Sequence, residues 1–413
     1  MSLKIVEALS FVGIDWATAN HAVCVLDPAG RRVAAWHIDH SAEGFASLVR
    51  RLARLGLPAQ VAVAIERPDG RLVDTLLEAG FAVVPVSPNA IKTWRESETA
   101  SGAKSDPGDA YVIADYLRCR AVRLEPIQPY SAHTKALRTV VRTRDDLVDM
   151  RVAATNQLAA LLDAHWPGGK VIFADVESPI ALAFLTRYPT ARHAQRLGAT
   201  RIAAFCREQG YTGGRSGEEL LARLRAAPAG TIDETLCAAI TEAVLAMVAV
   251  LKTVGTTLKG LAKTVAATLG EHPDEKTFTS LPRSGQINAA QMLAEWGDVR
   301  QAYDGPESIA ALAGVTPVTK ESGKHRAVHF RWACNKRFRV AITTFADNSR
   351  HASPWAAKVY TDARARGHDH PHAIRVLARA WIRIIWRCWI DQVPYDPSRH
   401  GNARQLNLQD QPT

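Results

Sequence analysis

An α/β domain at the N-terminus, then long helices and a mainly α-helical C-terminal region, is the architecture this 413-residue sequence predicts. Three observations carry that expectation. Short apolar runs alternate with amphipathic stretches as far as about residue 127. Two later segments repeat apolar residues every seven residues, or at alternating spacings of four and three, the mark of long paired helices. The last apolar stretch, Ile374 to Ile390, is interrupted by Arg375, Arg379, Arg383 and Arg387. Arginines four residues apart make it an amphipathic helix and not a membrane span.

The elements follow in order. Phe11–Trp16 and His21–Leu26 read as strands, Pro28-Ala29-Gly30 as a turn and Arg32–His37 as a third strand. Ser41 is placed to cap a helix reaching about Leu55, with Leu48, Leu52 and Leu55 inward. Gln60–Ile65 is a near-continuous apolar run, as expected of a strand buried on both faces. A helix over Arg71–Ala79, a strand over Phe81–Val86 and a helix near Asn89–Glu96 come next, and Pro107 opens a helix to Leu117. Three antiparallel strands followed by αβαβα is the order of the RNase H-like fold.

A long helix is predicted from Ser131 to Trp166, with Val140, Leu147, Ala154 and Leu161 in heptad spacing and Leu137 and Leu158 alongside. A second, from Asp233 to Leu269, places Met247, Leu251, Val254, Leu258, Leu261 and Val265 on a coiled-coil seam, within one chain or between two copies. Between them, roughly 167–230 reads as a small helical insert. The expected domains are thus 1–127, a coiled-coil region 128–270, a C-terminal domain 271–395 and a tail 396–413.

Lys and Arg outnumber Asp and Glu by 51 to 41, a net +10 with a pI near 9.4, which suits a polyanionic partner. Six scattered cysteines form no CxxC pair and no zinc spacing, and read as reduced thiols in a cytoplasm. No signal peptide is expected, and no membrane partner. No G-x-x-x-x-G-K-[ST] loop follows the first strand, which argues against an actin-like sugar kinase.

The chemistry-bearing acids sit at element ends. Asp15 lies near the end of the first strand, Glu66 sits where the fourth ends, and Asp106 and Asp109 flank the start of the last helix. In the predicted sheet the first strand is central, the fourth lies beside it and the helix crosses both ends, so the four acids can converge. Converging carboxylates repel one another unless a cation compensates, and hard oxygen ligands select Mg²⁺ or Mn²⁺. Two such ions about 4 Å apart would clamp the attacking and leaving oxygens of a phosphodiester. Singly, each acid is ordinarily a surface residue or a helix cap; Asp69 and Asp115 are read as structural.

The densest positive stretch runs from Thr316 to Val340 with Lys320, Lys324, Arg326, Arg331, Lys336, Arg337 and Arg339. His325 and His329 add to it, and Phe330, Trp332 and Phe338 either stack on bases or pack inside. Within it lies Glu321-Ser322-Gly323-Lys324. A serine beside glycine is approachable, and nearby cations would stabilise an attacking alkoxide. Taken alone, Ser-Gly is far more often a turn. Upstream, Leu281–Ile287 reads as a turn between helices able to offer backbone N–H groups to a phosphate.

Together these stretches resemble the DEDD transposases of the insertion sequence one-hundred-ten family, bridge-RNA-guided serine recombinases. The resemblance rests on Gly13-Ile14-Asp15, Ile65-Glu66 and Lys104–Ala110 in the first part. Later it rests on the Leu281–Ile287 turn, Ile309–Pro317, Glu321-Ser322-Gly323, Asn335, Arg339, Ser353-Pro354-Trp355 and the arginine-studded helix. It implies a RuvC-like N-terminal fold, a metal-binding tetrad of Asp15, Glu66, Asp106 and Asp109, and Ser322 as the serine joined covalently to DNA. It also implies donor and target DNA as substrates, a non-coding bridge RNA, a homodimer building to a homotetramer, and a prokaryotic cytoplasm. The alternative is a Holliday-junction resolvase-like nuclease using the carboxylates alone. Two departures stand out: the family's Pro-Gly-x-Gly turn is here Pro282-Arg283-Ser284-Gly285, and its Gly-Asn is Cys334-Asn335.

Overall fold

The computed structural model describes residues 8–98, 106–322 and 325–399, and the chain divides after Pro129 into two compact units. The first is built on a five-stranded sheet. β1 (Ser10–Trp16), β2 (Asn20–Leu26) and β3 (Arg32–Asp39) form an antiparallel meander. α1 (Ala42–Ala53) then crosses to β4 (Val61–Ile65), which pairs parallel to β1, and α2 (Arg71–Glu78) leads to β5 (Ala82–Pro85), parallel to β4. The strand order is β3-β2-β1-β4-β5, so β1 is central. α3 (Pro88–Glu98) and α4 (Asp106–Arg120) complete the unit.

Strand alternation gives the sheet two different faces. Val12, Ile14, Val63 and Ile65 pack against Leu48 and Leu52 of α1 and Leu72 and Leu76 of α2. Ala22, Cys24, Ala62 and Ala64 face Ala110, Ile113, Ala114 and Leu117 of α4. Every residue of β4 is buried, which is why its sequence shows no polar alternation.

In the second unit α5 (Ala132–His165) packs along α11 (Glu234–Gly270). The inward face of α5 is Thr134, Leu137, Val141, Ala154, Leu158 and Leu162; Val140, Leu147 and Leu161 are only half-buried. Leu137, Ala154 and Leu158 are thus buried as expected, while Val141 and Leu162 are buried in place of Val140 and Leu161, because several neighbouring positions are apolar and the partner helix selects among them. On α11, Leu251, Val254, Leu258 and Val265 are buried as expected, while Val244 and Val248 are buried in place of Met247. By length and composition, α11 is long and apolar enough to cross a membrane, the one such helix among the described residues. Its inner face is occupied by α5 and by the intervening helices.

Five short helices fill the insert: α6 (Pro167–Val171), α7 (Pro179–Arg187), α8 (Ala191–Ala194), α9 (Ala199–Glu208) and α10 (Gly217–Ala226). Their core, centred on Phe184, joins Trp166, Phe173, Phe205 and the first half of α11. The C-terminal part holds α12 (Glu275–Thr279), α13 (Gly285–Trp296), α14 (Pro306–Leu312), α15 (Lys336–Ser349), α16 (Pro354–Ala365) and α17 (His370–Asp391). Trp296, Trp381, Trp389, Phe278, Phe338 and Phe345 are buried at its centre. The basic stretch, to which sequence patterning assigned no element, contains an antiparallel hairpin of β6 (Val318–Ser322) and β7 (His325–His329).

Candidate active site

Backbone register sets the positions of the acids. The parallel pairing of β1 with β4 runs through Gly13↔Ala64 and Ile14↔Ile65, and the next residues on the two chains are Asp15 and Glu66. Because side chains alternate, Asp15 shares a face with Gly13, and Glu66 with Ala62 and Ala64. That is the face covered by α4. Gly13 is the point of closest approach: a Cβ there would lie 2.1 Å from the Ala110 carbonyl oxygen and 2.4 Å from the Ala114 nitrogen. The missing side chain lets α4 lie directly on β1, and Asp109 immediately precedes Ala110.

Asp109 is buried and forms an ion pair with Arg95 of α3 at 2.5 Å. Asp15 and Glu66 are half-buried. Asp106 opens α4, and its side chain lies outside the described part of the structure. Among the described residues no three carboxylate, imidazole or thiol groups stand together closely enough to hold a metal ion. The fold puts Asp15 and Glu66 at the ends of neighbouring strands on the face covered by α4, while Asp109 of that helix is engaged with a guanidinium. The donor chemistry suits a hard divalent cation. Asp115 lies elsewhere on α4, accepting from Trp94 Nε1 (3.1 Å) and Arg118 Nη2 (2.7 Å), and so ties α3 to α4. Asp69 makes an exposed pair with Arg67.

In the second unit, Ser322 ends β6 opposite His325, at the tip of the hairpin. Its side chain, with those of Lys320 and Arg326, falls outside the described structure, as does Lys324 altogether. The other basic residues divide by what they touch. Lys336 is exposed in the first turn of α15. Arg337 pairs with Asp146 of α5 at 2.6 Å. Arg339 hydrogen-bonds to the Arg331 carbonyl and lies 4.4 Å from the Phe330 ring centre, while Arg331 Nε donates to the Thr316 carbonyl at 3.1 Å. Phe338 is buried, whereas Trp332 is 79% exposed, so of the three aromatics the indole alone stands fully in solvent.

Asn335 has a structural part that its sequence position did not reveal. It caps α15 by accepting from Phe338 N (3.0 Å) and donates to Glu295 Oε2 (2.7 Å). Glu295 is almost fully buried and receives Arg142 Nε and Nη2 at 2.7 and 2.8 Å. Burial pushes its carboxyl up, but the hydrogen bonds from Arg142 and Asn335 outweigh that and hold it below the usual range. At the Leu281–Ile287 turn, Arg283 adopts a left-handed backbone (φ 57°) and Gly285 follows at φ 60°. A non-glycine residue thus occupies a conformation that favours glycine. Sequence reasoning also passed over Glu307, which holds Arg379 and Arg383 together; the four-residue arginine spacing was the available signal.

Comparison with known proteins places both units. Residues 12–167 match a DEDD transposase model, and residues 275–361 match the model described as transposase, IS116/IS110/IS902 family. The class is therefore that of the insertion-sequence transposases, enzymes of DNA cleavage and strand transfer. The chain is 30% identical to the mini-circle putative transposase for IS117 of Streptomyces coelicolor, over 94% of this chain and 96% of that one. It is 26% identical to the IS110 43.6 kDa protein of the same species, over 94% and 95% of the two chains. An IS900 42 kDa protein of Mycobacterium paratuberculosis is 24% identical over 94% and 97%. The chain belongs to the IS110 family of transposases.

Proposed function

We propose that this transposase cuts and rejoins DNA through a covalent phosphoserine, with Asp15, Glu66, Asp106 and Asp109 as metal ligands and Ser322 as nucleophile. The observation that carries the acidic site is the shared face: Asp15 and Glu66 end neighbouring parallel strands, and α4 rests on Gly13 beside Asp109. When bound, Mg²⁺ would polarise the scissile phosphate and stabilise charge on the departing oxygen. Ser322 adds its hydroxyl oxygen to phosphorus, one strand oxygen leaves, and the serine proton ends on that oxygen as a hydroxyl. The phosphoserine conserves the phosphodiester bond energy, so rejoining requires no ATP. A hairpin tip within a basic stretch supports the assignment of Ser322.

In this reading the partners are donor and target DNA and a bridge RNA carrying the site information, and the protein acts in a prokaryotic cytoplasm. Lys320, Lys324, Arg326, Arg331 and Lys336 would contact phosphates, while Arg337 and Arg339 chiefly shape the surface. The homodimer and homotetramer implied by the family resemblance gain support from α11. Its outward positions Ala239, Ala243, Ala246, Val250, Thr253, Thr257 and Gly260 recur at threes and fours and are all exposed.

Asp15→Asn keeps the shape of the side chain and removes its charge. It is expected to abolish cleavage of a junction-bearing DNA in Mg²⁺ while leaving the melting temperature within a few degrees of wild type. Cleavage at the wild-type rate would remove Asp15 from the mechanism.

A further inference from the structure

A cavity of about 510 Å³ opens at the root of the β6–β7 hairpin. One wall is the hairpin's end, Val328 to Arg331; the floor is the turn Gly314–Pro317; the other wall is the arginine face of α17. Among the described residues that line it, Asp15, Glu66 and Asp109 do not appear.

The charges that line it are out of balance. Arg331, Arg375, Arg379 and Arg383 all face it. The compensating acid is Glu307 of α14, whose Oε2 takes Arg379 Nε and Nη2 (3.0 and 2.8 Å) and whose Oε1 takes Arg383 Nε and Nη2 (3.0 and 2.7 Å). Each guanidinium thus gives its Nε–Nη2 edge to Glu307 and keeps its Nη1 donors for an anion. Arg375 has no ion pair among the described residues; its guanidinium lies 4.9 Å from the Phe330 ring centre, with Arg339 4.4 Å from the same centre. Burial depresses the Arg375 pKa, with Arg339 adding to that effect and Asp369 opposing it. Thr316, which also lines the cavity, keeps its hydroxyl oxygen buried without a hydrogen-bond partner. Beside it, Trp332 is exposed and meets Phe330 edge-on at 4.8 Å.

We propose that this cavity binds the phosphodiester backbone of a single nucleic-acid strand, with Arg375, Arg379 and Arg383 on a phosphate and a base stacked on Trp332. Cations that track a backbone, next to an exposed aromatic ring, are what single-strand binding requires. The root of the hairpin is four residues from Ser322, roughly 13 Å along an extended strand. A strand anchored there is held near the serine without contact between the anchor and the reacting phosphate. Glu307 orients two of the arginines and offsets part of their charge. The inference rests on reading the chain as a nucleic-acid enzyme, but it concerns binding and not chemistry.

The test uses the full chain, fluorescence anisotropy and two labelled 20-nucleotide probes, oligothymidine DNA and oligouridine RNA, over a range of salt. Arg375→Gln/Arg383→Gln is expected to weaken binding and to reduce the salt slope by about 0.7, the one single-strand phosphate contact these arginines share. Trp332→Ala is expected to weaken binding about tenfold with the slope unchanged. Glu307→Gln, which removes the opposing charge, is expected to tighten it. Thermal melting of each variant checks folding. Effects on both probes identify a site for either strand; an effect on one identifies which. Affinity and slope unchanged in the double variant, or affinity that fails to rise in Glu307→Gln, would overturn the proposal. No cleavage is read here, so a failed strand-transfer mechanism leaves these outcomes intact, and a failed binding site leaves that mechanism to its own test.

Discussion

Arg142 and Asn335 both direct hydrogen bonds at Glu295, a buried carboxylate that joins α5, α13 and the start of α15. Removing one partner leaves charge in a site that water does not reach. Arg142→Ala is therefore expected to cost about 2–3 kcal/mol, less than a fully buried pair because Arg142 itself is partly exposed. The folded-state pKa of Glu295 is lowered. Its contribution is thus present above the ordinary carboxylate pKa and is lost as pH falls through the lowered folded value. Melting temperatures from pH 7 down to 3 are expected to show a shallower acid decline in Arg142→Ala than in wild type. Parallel declines would mean that Glu295 contributes nothing to it. None of this was visible in sequence, where Glu295 is one acid at the end of an Ala-rich helix. The Arg95–Asp109 pair was equally hidden, because it depends on where α3 lies over α4.

At the scale of elements, periodicity gave the central sheet. The fully apolar β4 and the clean meander of β1 to β3 left little choice of strand order, and the ends of β1 and β4 located Asp15 and Glu66. Periodicity was weaker for α5, whose apolar residues occupy more than one stripe, so the buried face was settled by α11 and not by spacing alone. The hairpin carrying Ser322 escaped assignment because charged residues mask its alternation. Gly13 is the element-scale feature with the sharpest consequence. Gly13→Ala places a methyl group within 2.1 Å of α4 backbone, so the helix must shift. The expected cost is about 1–3 kcal/mol. Under the proposed mechanism, cleavage should fall as well, although no acid has been changed. Wild-type stability and cleavage would show that α4 is not held where the structure puts it.

The whole molecule combines an α/β unit bearing acids with a helical unit bearing a basic hairpin, and family membership joins the two in one enzyme. Its long helix α11 has apolar residues on two sides, one packed on α5 and one exposed. If the outer side joins copies, Ala243→Glu/Val250→Glu should lower the mass measured by light scattering after gel filtration, with helix content kept. An unchanged oligomeric mass would move the interface elsewhere. The arginines of α17 were legible as a pattern, but their meaning was not. Glu307 lies more than seventy residues away in sequence, and the cavity exists only once α14, α17 and the hairpin have packed.

Strand transfer through Ser322 is the central claim, and trapping the covalent intermediate tests it most directly. Wild type and Ser322→Ala are incubated with end-labelled donor DNA and the proposed bridge RNA in Mg²⁺, denatured, and resolved by size. Wild type is expected to yield label that migrates with protein and is released by protease. Ser322→Ala is expected to yield none, while binding the same DNA and melting at the same temperature. A protein-linked product that persists in Ser322→Ala, or free nicked DNA from both proteins, would contradict the account.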